Sequence, residues 1–173
     1  WRQVGGGILQ FPSWEHPYRY DAMCRPDWIP KGTRALNNLQ IGPILTGELS
    51  LSPPIYSMMC WNSKPVTQAP ETTKTIAGLM REDLFLVVAD QFLSDTASYA
   101  DIVLPAAMSA EMEDIIPSWG HNYLTYNTKC IYAPGEAISN REIFRRLAAS
   151  MGFGEDEFKW SDSECLERFV DWD

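Results

Sequence analysis

The sequence predicts an α/β fold with three layers, in which a mainly parallel sheet carries helices on its two faces. Three apolar runs, at residues 55–61, 84–89 and 102–104, predict strands, and the continuous run at 84–89 is typical of a strand buried on both faces. Helical segments at residues 72–81 and 94–99 separate these runs. Strands that alternate with helices at this spacing are typical of a parallel sheet.

The remaining elements follow this sheet in the chain. Weak alternation of apolar and polar residues over 123–132 predicts a strand or ribbon. Residues 139–142 and 161–164 each have the spacing of a capping box and precede an apolar stripe, which predicts two helices. The first of these helices is expected to end at Gly152.

The chain divides into three expected segments. Six of the twelve prolines fall between residues 12 and 53, which predicts an irregular Pro/Gly-rich segment over 1–53 that wraps over a surface. The α/β domain is expected over 54–153, and 154–173 is expected to form a C-terminal helix that leads into a missing remainder. Because the first residue is Trp1, we expect the chain to be a processed product or a piece of a longer protein.

Composition and charge exclude several classes of function. A net charge of −9 argues against a nucleic-acid-binding surface, and no apolar run approaches the ~18 to 20 residues of a membrane span. The four cysteines are 36, 70 and 35 residues apart, which argues against a zinc or iron–sulfur site in this chain. We expect free thiols and a cytoplasmic protein, with disulfides and the periplasm as the alternatives.

Polar residues follow the first two predicted strands, where an open parallel sheet binds its ligands. Asn62, Ser63 and Lys64 offer backbone amides, polar side chains and one cation, which suit a phosphate. Asp90, at the end of the second strand, is placed to accept hydrogen bonds from a ribose or a guanine edge. A simple turn at 62–65 and a capping role for Asp90 are the alternatives.

Other candidate sites are weaker. The sequence contains neither G-x-G-x-x-G nor the P-loop pattern, and Gly5-Gly6-Gly7 does not follow a predicted strand. His16 and His121 are the only histidines. Neither lies at a spacing from a nucleophile that is typical of a catalytic triad, so the sequence does not predict a hydrolase. Glu111, Glu113 and Asp114 form either a metal or acid–base cluster or a solvated acidic face, and their spacing favours the solvated face.

Residues 81–105 resemble the molybdopterin oxidoreductases of the dimethyl-sulfoxide-reductase type. Asp90-Gln91-Phe92 matches the D-x-F motif of that family, residues 94–97 its T-x-T-A motif, and residues 100–105 its A-D-(I/V)-(V/I)-L-P motif. A glutamate follows shortly afterwards in the family, as Glu111 does here. Residues 62–65 resemble a strand-end loop of the family, and residues 135–152 resemble its P-G-E-A stretch and the helix that follows.

The resemblance implies a Rossmann-like domain, over residues 54–153, that binds the guanine nucleotide of a bis(molybdopterin guanine dinucleotide) cofactor with molybdenum or tungsten. The cofactor-binding residues that it implies are Asn62, Ser63, Lys64, Asp90, Ser94 and, in a loop further on, Gly120. Asp90 would accept two hydrogen bonds from guanine, and Ser94 would offer a hydroxyl to guanine or ribose. Two positions depart from the family motif, because Ser94 stands where threonine is usual and Lys64 where asparagine or aspartate is usual.

The resemblance also implies what this chain lacks. The metal ligand and any 4Fe–4S cluster would lie elsewhere in the full protein, so no catalytic or metal-binding residue is assigned here. The chain alone is expected to be inactive, and its expected partners are other domains of the same polypeptide and an electron-transfer subunit. Two alternatives stay open: a metal-free scaffold derived from this family, and a nucleotide-binding α/β domain of another family.

Overall fold

The structure is a computed structural model that describes residues 18–117 and 123–170. The described chain divides into two compact units, and each is treated by itself. The first consists of Gly32–Met108 and Ala133–Phe144. The second consists of residues 18–31, 109–117, 123–132 and 145–170. The expected segment boundaries at residues 53 and 153 stay a prediction.

The helices and strands of the described residues are short. The α-helices are α1 (Tyr20–Cys24), α2 (Ile41–Leu45), α3 (Pro65–Gln68), α4 (Thr72–Leu79), α5 (Asn140–Met151) and α6 (Asp162–Phe169). The strands are β1 (Ser57–Trp61), β2 (Phe85–Asp90), β3 (Ile102–Pro105), β4 (Asp114–Pro117) and β5 (Leu124–Asn127). Single 3₁₀ turns occur at Pro26–Trp28, Asn38–Gln40, Ala97–Tyr99, Ser109–Glu111 and Asp156–Lys159.

The first unit contains the predicted parallel sheet, so the α/β fold class is confirmed. Its strand order is β1-β2-β3, with β2 in the centre and parallel to both neighbours. Trp61 of β1 lies beside Ala89 of β2, and Asp90 lies beside Pro105 of β3. The carboxyl ends of β1 and β2 therefore meet at one edge of the sheet.

Helices cover both faces of this sheet. Leu86 and Val88 of β2 are fully buried and belong to a core cluster with residues of α2 and α4, such as Leu45 and Leu79. Ala89 points to the opposite face, where it belongs to a second cluster with Ile143 of α5. Side chains alternate between the two faces of a strand, so β2 presents apolar residues to both layers.

Helices α2 and α4 approach each other closely because glycine stands at their contact. A Cβ atom added to Gly78 would lie 2.3 Å from the Cβ of Leu45. Thr75, on the same helix, is fully buried, and its hydroxyl has no hydrogen-bond partner within the described chain. The packing of this layer therefore leaves no room for a side chain at residue 78.

The second unit contains an antiparallel pair of strands and helix α6. Strand β5 lies within the predicted ribbon at 123–132 and pairs with β4, which the sequence did not indicate. Helix α6 begins with the predicted capping box: Glu164 N–H donates to Ser161 Oγ at 3.2 Å, and Ser161 N–H donates to Glu164 Oε2 at 2.8 Å. The hydrogen bonds from Ser161 hold the pKa of Glu164 below its usual range.

All four cysteines are free thiols, as predicted. Cys24 and Cys130 are exposed, whereas Cys60 and Cys165 are buried. Burial within the sheet raises the pKa of Cys60, in β1, to about 11. Across the described parts of the chain, no helix combines the length and apolarity that crossing a membrane requires.

Candidate functional site

A cavity of about 210 Å³ lies where β1 and β2 end, within the first unit. Two short segments beyond the strand ends form much of its wall, and helices α3 and α5 contribute one side chain each. The lining residues are Asn62, Ser63, Lys64, Gln68, Ala89, Asp90, Gln91, Ala106 and Asn140. The predicted positions at residues 62–64 and Asp90 thus line one cavity, at the edge where an open parallel sheet binds ligands.

The segment after β1 turns sharply at Asn62. Its φ of 51° lies in the left-handed region, which asparagine tolerates better than most residues other than glycine. Two residues later, Lys64 N–H donates to Gln68 Oε1 at 2.8 Å. The carbonyl of Lys64 accepts from the N–H groups of Thr67 and Gln68. The backbone of Lys64 is therefore fixed, while its side chain stays 43% exposed at the cavity.

Asp90 is a nearly buried carboxylate, with 9% of its side chain exposed. Its Oδ1 accepts from the N–H groups of Gln91 at 2.7 Å and Phe92 at 3.3 Å. Its Oδ2 accepts from the hydroxyl of Ser94 at 2.7 Å. Burial by itself would raise the pKa of Asp90, but these hydrogen bonds and the charge of Lys64 outweigh it and lower the pKa. Asp90 is therefore ionised at neutral pH.

Lys64 and Asp90 supply opposite charges to the cavity. The ammonium nitrogen of Lys64 lies 3.8 Å from Asp90 Oδ1. This distance allows electrostatic attraction but exceeds that of a hydrogen bond. Because Lys64 is substantially exposed, this ion pair contributes little to stability, and the ammonium can move to another anion at low cost.

The other two predicted residues have different outcomes. Ser94 does not line the cavity, but its hydroxyl donates to Asp90 and accepts from Ala97 N–H at 3.4 Å. In this structure Ser94 therefore holds the carboxylate of Asp90. Gly120, like His121, lies outside the described residues. The contact of these residues with a ligand stays a prediction.

Asn140, at the start of α5, is a lining residue that the sequence reasoning missed. Its Oδ1 is buried and finds no hydrogen-bond partner in the described portion of the chain. The chain reaches this place because Ile138 forms an isolated parallel bridge with Ala106, just beyond β3. Ala107 N–H donates to the carbonyl of Ile138 at 2.8 Å. The capping-box spacing at 139–142 indicated a helix start but not its position beside the strand ends.

Two glutamines of the cavity wall were also missed. Gln68 lies four residues after Lys64, at helical spacing. Its side-chain oxygen Oε1 accepts a hydrogen bond from Lys64 N–H and so fixes the Lys64 backbone. Gln91 follows Asp90, and its amide nitrogen donates to the carbonyl of Ala107 at 3.3 Å. In the sequence, only their closeness to Lys64 and Asp90 could have indicated that these two glutamines line the cavity.

The acidic stretch after β3 differs from the expected solvated face. Glu111 is buried, with 9% exposed, and Glu113 accepts a hydrogen bond from Ser163 at 3.0 Å. The expectation is wrong for Glu111 because the 3₁₀ turn Ser109–Glu111 places this residue inside the second unit. Within residues 18–117 and 123–170, no group of three or more His, Cys, Asp and Glu side chains could hold a metal ion.

Comparison with known proteins matches this chain to parts of larger proteins. Residues 36–150 match the family model named molybdopterin oxidoreductase. The chain is 41% identical to probable oxidoreductase YoaE of Bacillus subtilis (strain 168) over 172 residues, which are 99% of this chain and 25% of that protein. It is 35% identical to the F420-dependent formate dehydrogenase subunit alpha of Methanocaldococcus jannaschii, over 59% of this chain and 15% of that one.

A solved structure agrees with these sequence comparisons. Acetylene hydratase from Pelobacter acetylenicus superposes with a TM-score of 0.61 and 26% identity. The match covers 73% of this chain and 18% of that one. The chain thus spans a quarter or less of each of these relatives. The family model covers most of the α/β unit and both segments of the candidate site, and on this evidence the chain belongs to the molybdopterin oxidoreductase family.

Proposed function

We propose that the cavity at the ends of β1 and β2 binds the guanine nucleotide of a molybdopterin guanine dinucleotide cofactor. The family implies a pterin cofactor with molybdenum or tungsten. The observation that carries the proposal is that two polar acceptors line one cavity together with a partly exposed cation. The acceptors are the ionised Asp90 and the Oδ1 of Asn140, which has no hydrogen-bond partner among the described residues, and Lys64 is the cation.

The acceptors suit the edge of guanine that carries N1–H and N2–H₂. A carboxylate has about four acceptor positions, of which the hydrogen bonds within the protein use three at Asp90. One position remains on Oδ2. A second becomes accessible if the 3.3 Å contact from Phe92 N–H to Oδ1 gives way. The Asn140 oxygen needs a donor, because burying an unpartnered acceptor costs about 1–3 kcal/mol.

The size of the cavity suits one part of a nucleotide. Its volume of about 210 Å³ is below the ~300–1,000 Å³ of sites that enclose a drug-sized ligand. We therefore assign to it the base and the adjoining sugar. The exposed ammonium of Lys64 would move from Asp90 to a phosphate oxygen, with which it can form a charge-assisted hydrogen bond.

In the full protein this chain would bind and orient the cofactor, and catalytic residues would lie in other parts of the polypeptide. The metal–pterin group would supply the chemistry, which we propose to be oxygen-atom transfer or hydride and electron transfer. Asp90, Asn140 and the 62–64 segment would hold the nucleotide in place. An electron-transfer subunit, and an iron–sulfur cluster outside this chain, belong to the same proposal.

The test is a measurement of metal and nucleotide on one sample of the full-length protein from its native host. Molybdenum and tungsten are measured by mass spectrometry, and GMP is measured after acid release. A bis-cofactor enzyme gives about one metal ion and about two GMP per protein. Neither metal nor GMP, from a host that makes the cofactor, would refute the proposal and favour a metal-free scaffold.

A further inference from the structure

Thr96 lies between the two segments that form the candidate site but is not part of the cavity wall. It is fully buried, with 0% exposed, although it carries a hydroxyl. A buried hydroxyl costs free energy unless it is hydrogen-bonded. The hydrogen-bond partner of the Thr96 hydroxyl therefore indicates the structural role of this residue.

The Thr96 hydroxyl accepts a hydrogen bond from Val66 N–H at 3.2 Å. Val66 is the second residue of α3 and is itself buried, with 6% exposed. The first N–H groups of a helix have no acceptor within the helix, so Thr96 satisfies a donor that would otherwise be buried without a partner. The bond joins residues that are 30 positions apart in the chain.

Each end of this hydrogen bond continues to one of the two charged residues of the cavity. On the α3 side, Val66 follows Lys64 by two residues, and Gln68 of the same turn holds the Lys64 backbone. On the other side, Thr96 lies in the turn in which Ser94 Oγ accepts from Ala97 N–H and donates to Asp90. The hydrogen bond therefore closes a ring of contacts whose opposite side is the 3.8 Å approach of Lys64 to Asp90.

We propose that Thr96 is a positioning residue, whose hydroxyl holds the Lys64 segment and the Asp90 turn at the separation that the bound nucleotide requires. This role rests on the proposed function of the cavity. Thr96 acts without touching the ligand. Removal of the hydroxyl would leave Val66 N–H unpaired and would allow the Lys64 segment to shift relative to Asp90. The affinity of the site for the nucleotide would then fall.

The same unit offers a matched control. Thr75 is also fully buried, but its hydroxyl has no hydrogen-bond partner among the described residues, and it lies where α2 packs on α4. Valine replaces threonine with nearly the same shape. Thr75→Val and Thr96→Val thus make the same substitution at the same burial, and only Thr96→Val breaks a link between the site segments.

The experiment compares the full-length parent protein with Thr96→Val, Thr96→Ser and Thr75→Val. Two quantities are measured: the rate at which acid-releasable GMP is lost on dialysis, and the hydrogen exchange of the peptide covering residues 62–68. For Thr96→Val we expect both rates to rise on the order of tenfold, the effect of losing a helix cap. Thr96→Ser keeps the hydroxyl, and Thr75→Val leaves the link intact, so both should match the parent.

Three results would overturn the positioning role: parent-like GMP loss in folded Thr96→Val, equal acceleration in Thr75→Val, or equal acceleration in Thr96→Ser. If Thr96→Val does not fold, Thr96→Cys replaces it, because a thiol is a weak acceptor of serine-like shape. Faster GMP loss in Thr96→Cys than in Thr96→Ser supports the role, and equal rates refute it. A parent protein without GMP would refute the proposed function, and the positioning role with it.

Discussion

Replacement of Asp90 by asparagine tests the guanine assignment most directly. The substitution keeps the shape of the side chain and one oxygen. That oxygen can still accept from Gln91 N–H and Phe92 N–H, so the turn after β2 keeps its cap. The second oxygen becomes an NH₂ group, which faces the Ser94 hydroxyl and would face the donors of the proposed guanine. The change therefore places donors against donors at the ligand and leaves the local backbone in place.

The expected loss follows from the environment of the carboxylate. Asp90 is only 9% exposed, so solvent screens its hydrogen bonds weakly. A hydrogen bond to a charged group contributes about 1.5–3 kcal/mol, which corresponds to a loss of about 10- to 150-fold in affinity. The lost attraction to the exposed Lys64 adds little, because ion pairs with exposed partners contribute about 0–1 kcal/mol.

The assay is the dissociation of acid-releasable GMP from the full-length protein, followed during dialysis, with thermal unfolding measured in parallel. Asp83→Asn is the matched control, because Asp83 lies in the same unit, is exposed and pairs with Arg81. We expect rapid loss of GMP from Asp90→Asn and parent-like retention in Asp83→Asn. Retention of GMP by Asp90→Asn at the level of the parent would show that Asp90 does not recognise guanine.

Three further predictions concern charge, pH and packing. Lys64→Gln should weaken GMP retention several-fold and reduce its dependence on ionic strength, measured by dialysis at two salt concentrations; an unchanged salt dependence would contradict the phosphate contact. Because the pKa of Asp90 is lowered, its contribution to binding should persist down to the ordinary carboxyl pKa of ~3.9 and be lost below it, and Ser94→Ala should move this loss to higher pH in a titration of GMP release. Gly78→Ala should destabilise the protein in denaturant unfolding. The 2.3 Å approach to Leu45 costs about 1–3 kcal/mol, more than the up to ~1 kcal/mol gained in helix propensity, so a raised unfolding midpoint would refute the packing argument.

The parallel sheet could be predicted from the sequence because its signals are local. Each strand lies largely within an apolar run, and helix α4 between β1 and β2 has its own periodicity. The 62–64 segment and Asp90 were each predicted to follow a strand, at the ends where an open parallel sheet binds its ligands. Because these two strands are parallel neighbours, the structure brings both segments to one cavity, while their contact with a ligand stays a prediction.

The elements that were missed depend on contacts between distant parts of the chain. Strand β4 is short and begins with Asp114 in an acidic stretch, and only its pairing with β5 makes it a strand. Asn140 enters the cavity wall because Ile138 aligns with Ala106, which no local pattern encodes. The burial of Glu111 likewise comes from packing within the second unit. Tertiary context therefore decided each of these three positions.

The buried thiol of Cys60 gives the site an internal reporter. Alkylating reagents attack the thiolate, and with a pKa of about 11 this cysteine is almost wholly protonated near neutral pH as well as shielded from reagent. Labelling of Cys60 therefore requires β1 to separate transiently from its neighbours. The labelling rate thus measures how often this local opening occurs. A nucleotide held in the cavity at the end of β1 would slow the labelling in proportion to its occupancy, so the labelling rate of Cys60 would report how much of the protein has ligand bound.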